Sequence, residues 1–316
     1  MATNLVRFEA GNVPQWGVIS SAGIAPLSGN YATTAALIEC GESDWRAAAV
    51  RPASVSPGIV KILSPVTTPC RVYCQGANYR QHMLESGMNP DEKAFNMFFT
   101  KSDASIGSAY NAVRQPAHVK LLDYEIELAL VFRRPISSAV MITNQTIKDY
   151  IFAIAVANDL SARDVQLPQM QFFKGKSYRG FCPIGPWLTV LEPEDFPYLD
   201  QLDLQLSVNG AVRQSDSTKN LVFKPAETIS ELSTFANVMT GDVLLTGTPS
   251  GCALRIPPAP VRRILQLLPE RQFWKLFLKS QGRRPQYLRP GDQVTARIRS
   301  TDGRLDLGEQ MTSITT

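Results

Sequence analysis

The chain contains few of the residues from which soft-metal sites and disulfide frameworks are built. Its 316 residues include only two histidines and five cysteines. The cysteine number is odd and no Cys-x-x-Cys pair occurs, which argues against a disulfide framework and against a zinc ribbon. We therefore expect free thiols in a reducing compartment, each a small buried side chain rather than a nucleophile.

Long apolar runs are also missing. No segment approaches the roughly 18 consecutive apolar residues of a membrane helix, and the first nine residues lack the apolar core of a signal peptide. The apolar content of 44% nevertheless supports a substantial core. These features predict a globular, cytoplasmic protein.

Acidic residues are nearly absent from one stretch. Between residues 255 and 289 there are nine basic residues and a single acid, Glu270, although the net charge of the whole chain is only +4. Because the basic excess is confined to this stretch, it does not indicate a general nucleic-acid-binding protein.

Carboxylates are present in a more informative pattern. Residues 121–132 alternate in polarity, so Glu125 and Glu127 point the same way from a strand. Carboxylate oxygens in this arrangement suit Mg²⁺, Mn²⁺ or Ca²⁺. A solvated strand face is the more common explanation of Glu-x-Glu, but Ala129 and Val131 continue the same face and indicate burial. Buried carboxylates require a cation or hydrogen-bond donors.

Further polar groups accompany these carboxylates. His82 and Glu85 are three residues apart, so one helical turn would place both on one face, where a carboxylate-held imidazole could act as a general base. Lys176 lies in a loop flanked by glycine and proline, and Thr248 follows a predicted strand. The alternative explanation for His82 and Glu85 is an ordinary surface pair, and the alternative for the Lys176 and Thr248 segments is ordinary turn structure.

The order of elements suggests two domains. Alternating runs at 5–8 and 16–19, two short helical pieces and a proline-rich stretch at 52–69 predict a small N-terminal domain, residues 1–69. The main domain would cover 70–316. Strand signals outnumber helices there without βαβ alternation, which argues against a doubly wound sheet. Helices are expected after a capping-box signal at Thr146 and from Ile229 to Gly241.

Taken in order, these motifs resemble the fumarylacetoacetate hydrolase family, in particular its shorter acylpyruvase and oxaloacetate decarboxylase-like branch. The resemblance covers residues 71–254 and 289–312. It rests on Gly-x-Asn-Tyr before His82 and Glu85, Glu125-x-Glu127, Asn158-Asp-Leu-Ser-Ala-Arg-Asp-Val-Gln166, Gly175-Lys-Ser177, Pro183-Ile-Gly-Pro186, Asn209-Gly210, Gly241-Asp242, Thr246-Gly-Thr-Pro249 and Pro290-Gly-Asp292.

The resemblance implies a mainly β fold with some α: a mixed β-sandwich roll with a small N-terminal α+β domain, usually a homodimer. It also implies Mg²⁺ or Mn²⁺, with Ca²⁺ possible, held by Glu125, Glu127 and Asp159. His82 and Glu85 would form the water-activating pair. By the same resemblance, Lys176 would stabilise the enolate, and the substrate would be bound by Arg163, Gln166 and Thr248.

The function implied is metal-dependent hydrolysis of a C–C bond in a 2-oxo acid or 1,3-dicarbonyl of the acylpyruvate type, through a metal-stabilised enolate. Two alternatives stay open. The same enolate would serve a decarboxylase of oxaloacetate or a related β-keto acid, or an isomerase. The chain could also be a non-catalytic ligand-binding member of the fold.

Two departures from the family pattern stand out. Arg179 occupies a position where the family often has an acid, and it either alters the local field or faces solvent. Residues 254–288 replace a short loop with a basic, apolar stretch. Helical spacing places Val261, Ile264, Leu265 and Leu268 on one face and Phe273, Trp274, Phe277 and Leu278 on another. Packing on the protein itself or across a dimer is favoured over contact with a membrane or a partner, because Pro269 divides the stretch.

Overall fold

The apolar run from residue 126 to residue 132 forms a central strand. In the computed structural model, which describes residues 2–92, 95–257, 260–261 and 267–316, this strand is buried along its whole length. Its even-numbered side chains pack into one core cluster, whereas Ala129 and Val131 pack into another. The prediction that the glutamate face of this run is buried is therefore confirmed.

The described residues form 19 strands and seven α-helices. The strands are β1 (Thr3–Ala10), β2 (Val13–Ser20), β3 (Gly23–Pro26), β4 (Lys61–Leu63), β5 (Val72–Gly76), β6 (Met97–Lys101), β7 (Ile106–Ser108), β8 (Val113–Arg114), β9 (Leu122–Asp123), β10 (Ile126–Phe132), β11 (Ile151–Asn158), β12 (Ser161–Ala162), β13 (Cys182–Ile184), β14 (Trp187–Val190), β15 (Leu202–Val208), β16 (Ala211–Ser217), β17 (Val243–Leu245), β18 (Gln293–Ser300) and β19 (Asp306–Thr315). The helices are α1 (Thr34–Cys40), α2 (Glu42–Ala49), α3 (Arg80–Glu85), α4 (Arg163–Gln166), α5 (Phe172–Lys176), α6 (Pro225–Ser233) and α7 (Glu270–Gln281).

Two mixed sheets face each other. A 12-stranded sheet has the order β3-β2-β1-β14-β11-β10-β17-β5-β6, with β4, β7 and β13 attached beside this path, and a five-stranded sheet has the order β16-β15-β18-β19-β8. Leu204 and Ile298 of the second sheet share a core cluster with Leu128 and Leu130 of the first. This mainly β sandwich is the predicted fold class.

The first residues of the chain extend the large sheet. Strand β1 pairs antiparallel with β14, from Thr3 opposite Val190 to Val6 opposite Trp187. The division of the chain at residue 69 stays a prediction, but the N-terminal strands are hydrogen bonded to the same sheet that carries β10 and β11.

Two helix predictions were inaccurate. Thr146 makes no side-chain capping bond and is followed by one 3₁₀ turn (Ile147–Asp149) and then by β11. Every residue of β11 is buried, so its continuous apolar run marks a strand covered on both faces. The helix expected to reach Gly241 ends at Ser233 instead.

The basic stretch contains helix α7. Phe277 is buried and Phe273, Trp274 and Leu278 are partly buried, so the predicted apolar face is the one that packs inward. The other predicted face includes residues 264 and 265, which lie outside the described residues, as do the basic residues 262 and 263. No helix within the described ranges has the length and apolarity needed to cross a membrane.

Candidate active site

Strand pairing brings the three predicted carboxylates together. Because Ile126 of β10 lies opposite Asn158 of β11, the preceding Glu125 and the following Asp159 are adjacent. The N–H of Asp159 donates to the carbonyl of Glu125 at 2.8 Å. Carboxylate oxygens of Glu125, Glu127 and Asp159 lie within 4.8 Å of one another, and all three residues are buried.

Buried cations neutralise two of these carboxylates. Lys176 donates to Glu125 and to Asp159, at 2.5 Å in each case, and Arg163 donates to Glu125 at 2.5 Å. Although burial opposes ionisation, Arg163 and Lys176 hold the pKa of Glu125 well below its usual range. Burial opposes the charge of Lys176 as well, but Asp159 and Glu125 raise its pKa, so its ammonium stays charged.

Glu127 has a different environment. It accepts a hydrogen bond from the N–H of Gly247 at 2.7 Å, and no ion pair among the described residues includes it. Burial, followed by the charges of Asp159 and Glu125, raises the pKa of Glu127 well above its usual range. A divalent cation bound by the three oxygens would offset this penalty, so the donor set fits a hard metal ion.

Gly247 is required at its position beside the cluster. Its φ of +91° lies in the left-handed region, and a Cβ atom there would lie 3.0 Å from the Cβ of Asn78. The close backbone approach after β17 is what lets the Gly247 N–H reach Glu127.

A cavity of about 160 Å³ opens onto the cluster. All three of the predicted substrate-binding residues, Arg163, Gln166 and Thr248, line it, together with Lys176, Glu125 and Glu127. Arg163 also donates to Gln166 at 2.9 Å, and Thr248 accepts from Gln214 at 2.9 Å. The structure therefore gathers these side chains around one small space. A larger cavity, about 560 Å³, lies on the outer face of the five-stranded sheet and is lined by none of them.

His82 and Glu85 are placed differently. Both belong to α3, as their spacing predicted, and His82 lines the cavity. Its buried Nδ1 has no hydrogen-bond partner among the described residues, and burial lowers its pKa, so the imidazole is mainly neutral near pH 7. Glu85 is exposed and accepts a hydrogen bond from the N–H of Gly251 at 3.4 Å. No hydrogen bond joins the two side chains in the part of the chain that is described.

Sequence reasoning missed two buried charged residues of the cluster. Lys101, the last residue of β6, donates to Asp159 at 2.5 Å, and Asp123 accepts from Arg163 at 2.9 Å. With them, four carboxylates and three cations share the site, which leaves one negative charge when all are ionised. Asp123 lies in the alternating run that carries the glutamates, and its acidity was the available signal. Lys101 had none, because only the tertiary fold pairs it with Asp159.

Arg179 faces solvent, which favours the simpler of the two explanations given for it. Asp164 accepts from the N–H of Lys120 at 2.6 Å, away from the cavity.

The fumarylacetoacetate (FAA) hydrolase C-terminal family model matches residues 71–315. This chain belongs to the fumarylacetoacetate hydrolase family. The resemblance seen in the motifs is thereby confirmed, and with it membership of a family of enzymes that act on small molecules.

Two curated relatives are oxaloacetate tautomerases. The chain is 36% identical to oxaloacetate tautomerase YisK of Bacillus subtilis over 205 residues, which are 63% of this chain and 65% of that protein. It is 34% identical to the mitochondrial oxaloacetate tautomerase Fahd2a of Rattus norvegicus over 206 residues, 65% of this chain and 64% of that protein. The match thus spans slightly less than two thirds of these relatives.

Solved structures of the fumarylacetoacetate hydrolase family match over nearly the whole chain. A probable 2-hydroxyhepta-2,4-diene-1,7-dioate isomerase from Mycobacterium abscessus is 29% identical, with a TM-score of 0.73, and the match covers 100% of this chain and 98% of that chain. A fumarylacetoacetate hydrolase from Exiguobacterium antarcticum is 25% identical, with a TM-score of 0.73 and 99% coverage of both chains.

Proposed function

We propose that this protein is a divalent-metal-dependent enzyme that forms the enolate of a 2-oxo acid or 1,3-dicarbonyl, with keto–enol tautomerisation as its basic reaction. The observation that carries the proposal is the buried carboxylate triad beside Lys176, open to a small cavity with His82 on its wall. The names of the tautomerase and isomerase relatives support the same chemistry.

Glu125, Glu127 and Asp159 would hold the metal ion, for which Mg²⁺ and Mn²⁺ are the first candidates. When bound, the ion would supply Lewis-acid polarisation of the substrate oxygens. Lys176 adds a fixed positive charge at the same place, and its ammonium donates directly to Glu125 and Asp159. Such preorganised charge favours the state in which negative charge develops on the substrate.

His82 is suited to move the proton. In our proposal the C3–H bond of the substrate breaks and its proton goes to a neutral imidazole nitrogen of His82. The electron pair of that bond forms the C2=C3 double bond, and the π pair of the C2 carbonyl moves to its oxygen. Return of that proton to the oxygen gives the enol. The neutral state favoured by burial is the one that can accept a proton. Arg163, Gln166 and Thr248 would orient the substrate.

Hydrolytic C–C cleavage of an acylpyruvate is the second candidate. It is favoured by the presence of His82 and Glu85 on the same turn of α3. This reaction needs water activated by the pair, so α3 would have to bring Glu85 from its bond with Gly251 toward His82. Decarboxylation of a β-keto acid would also form an enolate, because the electron pair of the C–CO₂ bond becomes the enolate C=C bond as CO₂ leaves, and the same groups would stabilise it. A ligand-binding protein without turnover would not need the charged cluster and His82 together.

Three substrates separate the outcomes. With Mg²⁺, which is diamagnetic, 2-oxobutanoate in D₂O should lose its C3 proton signals in the NMR spectrum, and Glu127→Gln should stop this exchange. Acetylpyruvate should release pyruvate only if the enzyme hydrolyses C–C bonds, and release of CO₂ from oxaloacetate reports decarboxylation. Glu227→Gln, at an exposed site on α6, is the matched control. Exchange that persists after removal of the metal by chelation would contradict the proposal.

A further inference from the structure

Two chemically different sets of side chains line the cavity, and we call them its polar half and its apolar half. The polar half comprises the charged and polar groups described above together with Gln75 and Ser86. The other half is formed by side chains that carry neither charge nor hydrogen-bonding groups other than a thioether sulfur: Met88, Met97, Phe99, Leu167, Phe172 and Leu254.

Phe99 marks the border between these halves. The ammonium of Lys176 lies 5.1 Å from the centroid of the Phe99 ring. The centroids of the Phe99 and Phe172 rings are 5.4 Å apart. A substrate whose 2-oxo acid end reaches Glu125 and Lys176 therefore has its other end among apolar side chains.

The cations of the cavity are already paired. Of the described residues that line it, only Arg163 and Lys176 carry a fixed positive charge, and both hold carboxylates of the protein. A second carboxylate on the substrate would lose water in the apolar half, and none of the described residues there offers it a cation. The apolar half thus discriminates against dicarboxylates.

We infer that the preferred substrate is a 2-oxo acid whose end remote from the carboxylate cluster is short and apolar, with Leu254 as part of the wall that selects it. This inference rests on the proposed function and deepens it. A dry apolar cavity of roughly 150 Å³ is enough for benzene, so about 160 Å³ encloses the 2-oxo acid end and a tail of only a few carbons.

Helix α7 holds Leu254 in place through its neighbours. Gln281 of α7 donates to the carbonyl of Arg255 at 2.9 Å, and its Oε1 accepts from the N–H of Arg255 at 3.3 Å. Arg284, just after α7, donates to the carbonyl of Ala253 at 2.9 Å. The basic segment therefore positions one wall of the cavity, and Gln281 is a positioning residue for Leu254.

A pair of five-carbon acids tests the tail preference. 2-Oxopentanoate ends in a methyl group and 2-oxoglutarate in a carboxylate, and isothermal titration of the Mn²⁺-loaded protein gives a Kd for each. We expect 2-oxopentanoate to bind at least about tenfold more tightly, because the second carboxylate is desolvated without a partner. Equal or tighter binding of 2-oxoglutarate would overturn the inference and leave the proposed function standing. If neither acid binds, nor oxalate, the proposed function itself fails and this inference with it.

Two substitutions test the role of Leu254. Leu254→Arg supplies a cation to the apolar half and should reverse the preference, whereas Leu267→Arg, at a residue 84% exposed in the same segment, should not change it. Gln281→Leu should reduce the preference for 2-oxopentanoate over 2-oxohexanoate at least threefold without weakening oxalate binding. Gln272→Leu, at an exposed position of α7, is its control. Retained oxalate binding shows that each variant is folded, and an unchanged preference in both Leu254→Arg and Gln281→Leu would overturn the inference.

Discussion

The carboxylate cluster and helix α7 handle charge in opposite ways. In the cluster, buried side chains of opposite charge lie at hydrogen-bonding distance. Glu125, for example, accepts hydrogen bonds from both Arg163 and Lys176. On α7 the exposed residues Arg271, Lys275 and Lys279 follow one another at four-residue spacing, and no ion pair among the described residues includes them.

The difference shows where electrostatics determine structure in this protein. A buried charge without a partner is costly, so each charge of the cluster constrains its neighbours. An exposed charge is screened by water and constrains little. We therefore expect activity to depend on the exact side-chain positions in the cluster. Helix α7 contributes through the few hydrogen bonds of its C-terminal end.

The largest effect is expected from removing the cation at the centre of the cluster. Lys176→Met should lower turnover about 10²–10³-fold, because it removes a preorganised charge from the place where negative charge develops. Mn²⁺ affinity, measured by titration, should be unchanged or higher, since Lys176 no longer competes for Glu125 and Asp159. Lys174→Met, on the exposed side of the same helix, provides the comparison. Turnover within a factor of a few of the unmodified protein would show that Lys176 has no catalytic role.

A smaller effect, on stability, is expected at Lys101. This side chain is fully buried and donates to Asp159 and to the carbonyl of Phe181. Lys101→Met should reduce the free energy of unfolding by about 3–5 kcal/mol, because it leaves a buried carboxylate with one partner fewer. Urea unfolding measures this directly.

The pair formed by Lys61 and Glu9 at 3.7 Å is the solvent-exposed counterpart. Lys61→Met should cost no more than about 1 kcal/mol. Similar losses for the two variants would contradict the contrast drawn between buried and exposed charges.

Local pattern revealed part of this site. Alternation along residues 121–132 predicted a buried glutamate face, because a strand places every second side chain on the same side. The same pattern could not distinguish Glu125 from Glu127. Glu125 receives Arg163 and Lys176 from distant segments, whereas Glu127 receives a backbone N–H from the turn after β17. These partners are assigned only by the tertiary fold.

The sequence likewise predicted some elements of the fold and not others. The Asn209–Gly210 turn signal is confirmed, since both residues have positive φ between β15 and β16. The capping-box signal predicts a helix that runs into Tyr150 and Ile151, the first residue of β11, and the apolar run that follows has no polar face whose period would identify a strand. Whether such a run becomes strand or helix depends on its neighbours, here β10 and β14.

The smallest effect is expected on the exposed face of α7. Lys275 has Arg271 four residues before it and Lys279 four residues after it, so Lys275→Glu replaces two like-charge contacts with two opposite-charge contacts. Each such pair in a helix is worth about 0.2–0.5 kcal/mol. The variant should therefore be as stable as the unmodified protein or slightly more stable in thermal unfolding at low salt, and Lys275→Gln should lie between them. Destabilisation by Lys275→Glu would mean that this basic face contacts acidic groups in solution, for example on a second copy of the chain. The charges of α7 would then have partners, as those of the carboxylate cluster do, and the contrast between the two regions would be wrong.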